Sequence, residues 1–190
     1  MSSRLDLAAG GLAVIREIQR LPRVPEWATT PELRQRLLEA EAAVRDDLVA
    51  YAYDYDSADI DAVIAHFSDD VVITNPRGRY TGSALIRKNY EFLYSQWTRQ
   101  RHIWTNVAVR FVDSLDEAYR TAYIHGVLTS PTKNFIAVGT DIHHVRKLAG
   151  RWKIIERCIT DDVSYPIEPF GGPLEDTKTA PPPAGSVARS

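Results

Sequence analysis

Cysteine is almost absent from this chain. A single one, Cys158, in 190 residues excludes an internal disulfide framework and a cysteine-rich zinc site. It suits a reducing compartment, so the expected location is the cytoplasm. Long apolar runs are also lacking. No segment approaches the roughly 20 residues that a membrane-spanning helix needs, so no membrane partner is expected. The stretch LAAGGLAVI follows Asp6 and runs into REIQR without a small-residue cleavage site. It reads as part of an N-terminal helix or arm, not as a leader. An excess of one charge is missing too. The 23 Lys and Arg against 25 Asp and Glu leave a formal net charge of -2, with no basic footprint for nucleic acid. No glycine-rich phosphate loop or dinucleotide fingerprint occurs, so no organic cofactor is expected. No ligand-spaced cluster points to a metal.

What is present is a globular composition. Hydrophobic residues make up 44%, enough for a real core. Residues 1–28 read as an extension, broken by Pro22 and Pro25. Residues 29–168 read as one domain. Residues 169–190 are rich in Pro and Gly and read as a mobile tail or an arm on a neighbour. Thr30, Pro31 and Glu32 start a long helix. Its apolar stripe runs Leu33, Leu37, Ala40, Val44, Leu48, Ala52 and Tyr55, and it ends near YDYDSAD. Asp59 caps a short second helix, and Ser83 is expected to cap a third. VVITN and the turn PRGRY form a small hairpin. Residues 102–112, 117–130, 134–147 and 151–160 then read as four long strands, pairing antiparallel through short turns. The predicted class is α+β, with three helices packed on one face of a curved, mainly antiparallel sheet.

Along RQRHIWTNVAVRF, alternation puts Ile103, Val107, Val109 and Phe111 on one face. His102, Trp104 and Asn106 share the other. Asp56 continues the apolar stripe of the long helix, so its carboxylate is expected to face the sheet. A buried carboxylate beside an imidazole orients the ring and leaves its other nitrogen as a general base. His143 and His144 are neighbours on a strand, so they point to opposite faces and form no two-ligand clamp.

The stretch LVAYAYDYDSADIDAVIAHFSDDVVITNPRGRYTG, then RQRHIWTNVAV and GRWKIIER, resembles the SnoaL-like branch of the nuclear transport factor 2-like superfamily. The scytalone dehydratase and dehydrochlorinase group is the nearest in pattern, over about residues 33–165. The resemblance implies a cone-shaped α+β barrel with an internal pocket. It implies that Asp56 and His102 are the catalytic pair, since that group places an Asp at the end of its first long helix and a His at the start of the strand after the third. Tyr55 matches a Tyr that precedes the Asp. Asn75 and Tyr80, in a hairpin that rims the pocket in the family, join Trp104, Asn106, Tyr123 and His125 as substrate-binding candidates. The expected function is a cofactor-independent lyase for a small hydrophobic, aromatic or cyclic substrate, eliminating water, halide or a carbon fragment such as formaldehyde. An isomerase or polyketide cyclase with a carboxylate base is the alternative. A non-catalytic small subunit or ligand-binding domain is another. A homodimer or homotrimer is expected.

Overall fold

The computed structural model describes residues 5–167. The expectation for the tail therefore lies outside the described residues. A short 3-10 turn, Leu7–Ala9, leads into α1 (Gly11–Arg20). Then come α2 (Pro31–Asp56), α3 (Ile60–Ile64), β1 (Phe67–Asn75), β2 (Gly78–Thr81), α4 (Ser83–Gln96), β3 (Arg99–Phe111), β4 (Glu117–Thr129), β5 (Asn134–Leu148) and β6 (Arg151–Ile167). The caps follow local chemistry. The Thr30 hydroxyl accepts from the Leu33 amide at 3.2 Å, and Asp59 accepts from the Ala62 amide at 3.0 Å. Gly82 stands at the cap of α4 in place of Ser83, which is already helical.

The six strands form one sheet in the order β2-β1-β6-β5-β4-β3. It is open, so the barrel is a curved sheet and not a closed cylinder. It is also mixed, because β1 runs parallel to β6. The parallel pairing follows from the chain path. The hairpin forms before α4, and the meander returns to it only with its last strand.

One face of the sheet holds α2 and α4. Val44, Leu48, Tyr51, Ile86, Val109 and Val145 are buried between them. The opposite face is half covered by the N-terminal extension. Leu7, Val14, Ile15 and Ile18 pack against Tyr119, Ile142 and Cys158 there. Burying each of those aliphatic side chains is worth about 1.5–3 kcal/mol of transfer free energy, which ties the extension to the domain. Among the described residues, the structure thus has four α-helices, with α1 on the face away from the three that were expected.

Two irregularities set which side chains face inward. In β3 the pairing slips between Thr105 and Ala108, so one extra residue bulges out. Asn106 takes a left-handed φ of 54° there. The Arg45 side chain crosses from α2 and donates to the Val107 carbonyl at 2.9 Å. The bulge flips the alternation. Val109 and Phe111 are buried in the core, while Ile103 is 53% exposed on the other face. The single shared face read from the sequence is therefore corrected to two. A second slip lies between Val138 and Gly139, opposite Val163 and Asp161. A Cβ on Gly139 would stand 1.7 Å from the Thr160 carbonyl oxygen, so the bulge requires glycine.

Candidate active site

The C-terminal end of α2 meets the start of β3 at Asp56. One carboxylate oxygen accepts from the His102 backbone amide at 3.0 Å, and the other lies 2.8 Å from His102 Nδ1. The ring and the carboxylate are 13% and 12% exposed. Because a carboxylate only accepts, Nδ1 carries a proton, and in the neutral ring Nε2 then presents its lone pair. The Tyr55 ring stands edge-on to the imidazole at 4.6 Å, and the Trp104 ring lies 5.6 Å from it. Gly126 pairs with His102 across the sheet. A methyl there would sit 3.5 Å from Nε2, so glycine keeps the approach to the base open.

Nε2 faces a cavity of about 160 Å³ inside the cone. Tyr55, Asn75, His102, Trp104, Arg157 and Asp161 all line it. A wider groove of about 460 Å³ lies on the other side of the pair, between α2 and β3. Both are half-open and share His102 and Trp104, and the smaller one is also lined by Gly126, which faces Nε2.

The floor of the cavity is a buried charge network. Asp141 is its hub. Its carboxylate accepts from Arg157 Nε at 2.9 Å and Nη2 at 2.7 Å, from His143 Nε2 at 2.8 Å and from Trp104 Nε1 at 2.8 Å. Burial opposes this charge, but Arg157 and then His143 outweigh it and hold the carboxyl well below the usual range. His143 has Nδ1 against the Arg120 guanidinium. Burial pushes its pKa down to about 4, with Asp141 acting against the shift and Arg120 adding to it, so the ring is neutral. Arg120 also donates to Asp47 at 3.1 Å. Asp47 in turn lies 3.0 Å from His66 Nδ1, and Asp54 lies 2.9 Å from His66 Nε2. Burial works against a charge on His66, but the hydrogen bonds to Asp47 and Asp54 prevail and raise its pKa. An imidazolium thus bridges two carboxylates of α2. At the cavity mouth, burial raises the Asp161 pKa against the pull of Arg77.

The structure places Tyr55, Asn75 and Trp104 on the cavity wall together with His102, while Asp56 stands behind the ring. It does not bring the other candidates there. Tyr80 packs against the core from the hairpin. Asn106 is exposed on the β3 bulge, because the slip ends the alternation it shared with His102. Tyr123 and His125 point to the outer face, since their neighbours Ile124 and Gly126 are the ones that line the cavity. Tyr123 is 37% exposed there. Four residues were missed: Tyr51, Tyr90, Asp141 and Arg157. Tyr51 was visible as one turn before Tyr55 on the same helical stripe. Arg157 and Asp141 sit on strands at alternate positions, but nothing local marks them as inward.

An open six-stranded sheet curved around helices, with a His–Asp pair on its inner side, is the arrangement that the sequence resemblance implies. The profile match over residues 36–158 is to the SnoaL-like domain, and the chain belongs to that family. Solved structures agree in fold. A candidate aromatic ring hydroxylase of Novosphingobium aromaticivorans is 25% identical with a TM-score of 0.64, over 68% of this chain and 94% of that one. A candidate scytalone dehydratase of the same organism is 20% identical with a TM-score of 0.66, over 75% and 97%. A hexachlorocyclohexane dehydrochlorinase of Novosphingobium barchaimii is 18% identical with a TM-score of 0.64, over 74% and 99%. No curated protein sequence matches the chain.

Proposed function

We propose that the chain is a cofactor-independent lyase acting on a small hydrophobic, aromatic or cyclic molecule. The observation that carries this is the double hold of Asp56 on His102, through the ring at 2.8 Å and the backbone amide at 3.0 Å. It holds Nδ1 against the carboxylate and leaves Nε2 on the side of the half-open cavity. In the proposed step, Nε2 removes a proton from a substrate carbon. The C–H electron pair becomes the new C=C bond, and the leaving group on the adjacent carbon departs with its own pair. Asp56 stabilises the imidazolium, which then returns its proton to a departing hydroxide as water or to the solvent. A positioned base contributes on the order of 100- to 10,000-fold. Orientation between Tyr55 and Trp104 adds to that.

Turnover of a panel of cyclic alcohols and cyclic halides tests the reading. His102→Ala and Asp56→Asn should each lose about 100-fold or more, with the melting temperature kept. Undiminished turnover in His102→Ala would sink it in favour of a carboxylate base.

We also propose that the chain works as a homodimer or homotrimer. Ile103 and Val163, in line across the outer sheet face, are 53% and 52% exposed, and Tyr165 beside them is 45% exposed. Apolar side chains in a row on one face support a second copy as the cover.

A further inference from the structure

The floor of the cavity carries a hydroxyl pair that the proposed elimination leaves unused. Tyr51 and Tyr90 are 0% and 3% exposed, and both rings line the same cavity as His102. Their hydroxyl oxygens are 3.1 Å apart. Arg157 Nη1 donates to both, at 3.0 Å for Tyr90. The remaining Arg157 contacts, from Nε and Nη2, go to Asp141.

Counting donors gives a definite result. The two hydroxyls hold two protons. One is used between the rings, since each oxygen already accepts from the guanidinium and one must donate to the other. The second proton has no acceptor among the described residues. It belongs to a hydroxyl polarised by a buried cation, Arg157 being 3% exposed, and a donor so backed acts more strongly than one in water.

We propose that Tyr51 and Tyr90, backed by Arg157, form a one-donor subsite that takes a single acceptor oxygen of the ligand, a phenolic or carbonyl oxygen on a small ring. A carboxylate is a poorer fit. It would need the forked face of Arg157, which Asp141 occupies. Arg157 acts through the tyrosines and is a positioning residue. The subsite deepens the preceding reading, because it fixes the far end of a molecule whose reacting carbon lies near His102.

The test is binding of 4-nitrophenol, whose phenolate absorbs visibly. The wild type should bind the phenolate at least ten-fold more tightly than the neutral phenol, the size of a charge-assisted hydrogen bond. Either single variant, Tyr51→Phe or Tyr90→Phe, should change this preference by less than about three-fold, because the surviving hydroxyl turns its freed proton to the ligand. The double variant should lose the whole ten-fold. Such non-additivity is not expected of two tyrosines that only pack. Should the double variant not fold, His102→Gln decides, since the preference must persist in it. No binding by the wild type, additive single variants, or a preference lost in His102→Gln each overturns the proposal. Failure of the general-base reading looks different. There, turnover survives in His102→Ala while the phenolate preference stays intact.

Discussion

Arg120 is a cation that the fold has no room to leave unpaired. It is 1% exposed. It donates to the Val44 carbonyl at 2.9 Å, to Asp47 at 3.1 Å and to His143 Nδ1 at 3.0 Å through Nε. Arg120→Met keeps most of the bulk and deletes the charge. Removing one partner of a buried pair costs about 3–5 kcal/mol. Asp47 keeps His66 as a partner, so the lower end applies, about 3 kcal/mol. With urea slopes of about 1–3 kcal/mol/M, the unfolding midpoint should fall by about 1–3 M. The variant should also unlock His143. Its pKa is held down to about 4 by burial, with Arg120 adding to the effect and Asp141 opposing it. Without Arg120 the ring keeps only Asp141 as a charged hydrogen-bond partner, and its pKa must rise. Proton NMR of the ring reads this directly. A loss below about 1 kcal/mol, or an unmoved His143 titration, would refute the network as described.

Gly139→Ala should unfold the β5–β6 bulge, at a cost of about 3 kcal/mol or more, because its Cβ would meet a backbone oxygen at 1.7 Å that no rotamer can move. A soluble variant with an unchanged urea midpoint would contradict this. The raised pKa of His66 contributes stability below its ordinary value of 6.5, and that stability is lost as pH rises through the folded value. Asp54→Asn removes one of its two negative partners and should shrink that window, which urea midpoints taken across it would show. His143 has the opposite sign, its contribution being present above 6.5 and lost as pH falls toward about 4. For the assembly, Val163→Asp should shift light scattering from oligomer to monomer, and a wild type already monomeric at about 100 μM would rule the interface out.

The parts of the fold that follow from local chemistry were legible in the sequence. Thr30, Pro31 and Asp59 mark helix starts whose causes lie within a turn of each residue. Position in a helix stripe and near the start of a strand made Asp56 and His102 candidates, and it was the family resemblance that joined them as a pair. The inward set of β3 and β4 was not. Parity carries inward and outward identity along a strand only until a bulge adds a residue, and the Thr105–Ala108 slip does so within the motif that mattered. His125 fell one position from the cavity for the same kind of reason, since alternation alone does not say which parity faces the helices. The Arg157–Asp141–Arg120 network escaped because its members are spread over three strands, and only the register brings them together.

Among the described residues β3 is the last strand of the sheet, so one of its edges has no neighbouring strand. Exposed strand edges recruit other chains. Here α2 closes the edge. Asp56 occupies the His102 amide, Arg45 occupies the Val107 carbonyl, and the Gln100 side chain reaches the Tyr55 carbonyl at 2.6 Å. The carboxylate that orients the base is therefore also a guard against intermolecular strand pairing. Asp56→Ala would lose both duties, whereas Asp56→Asn keeps an oxygen for the amide. The two substitutions should be equally inactive, yet only the alanine protein should form fibrous or amorphous aggregates on storage.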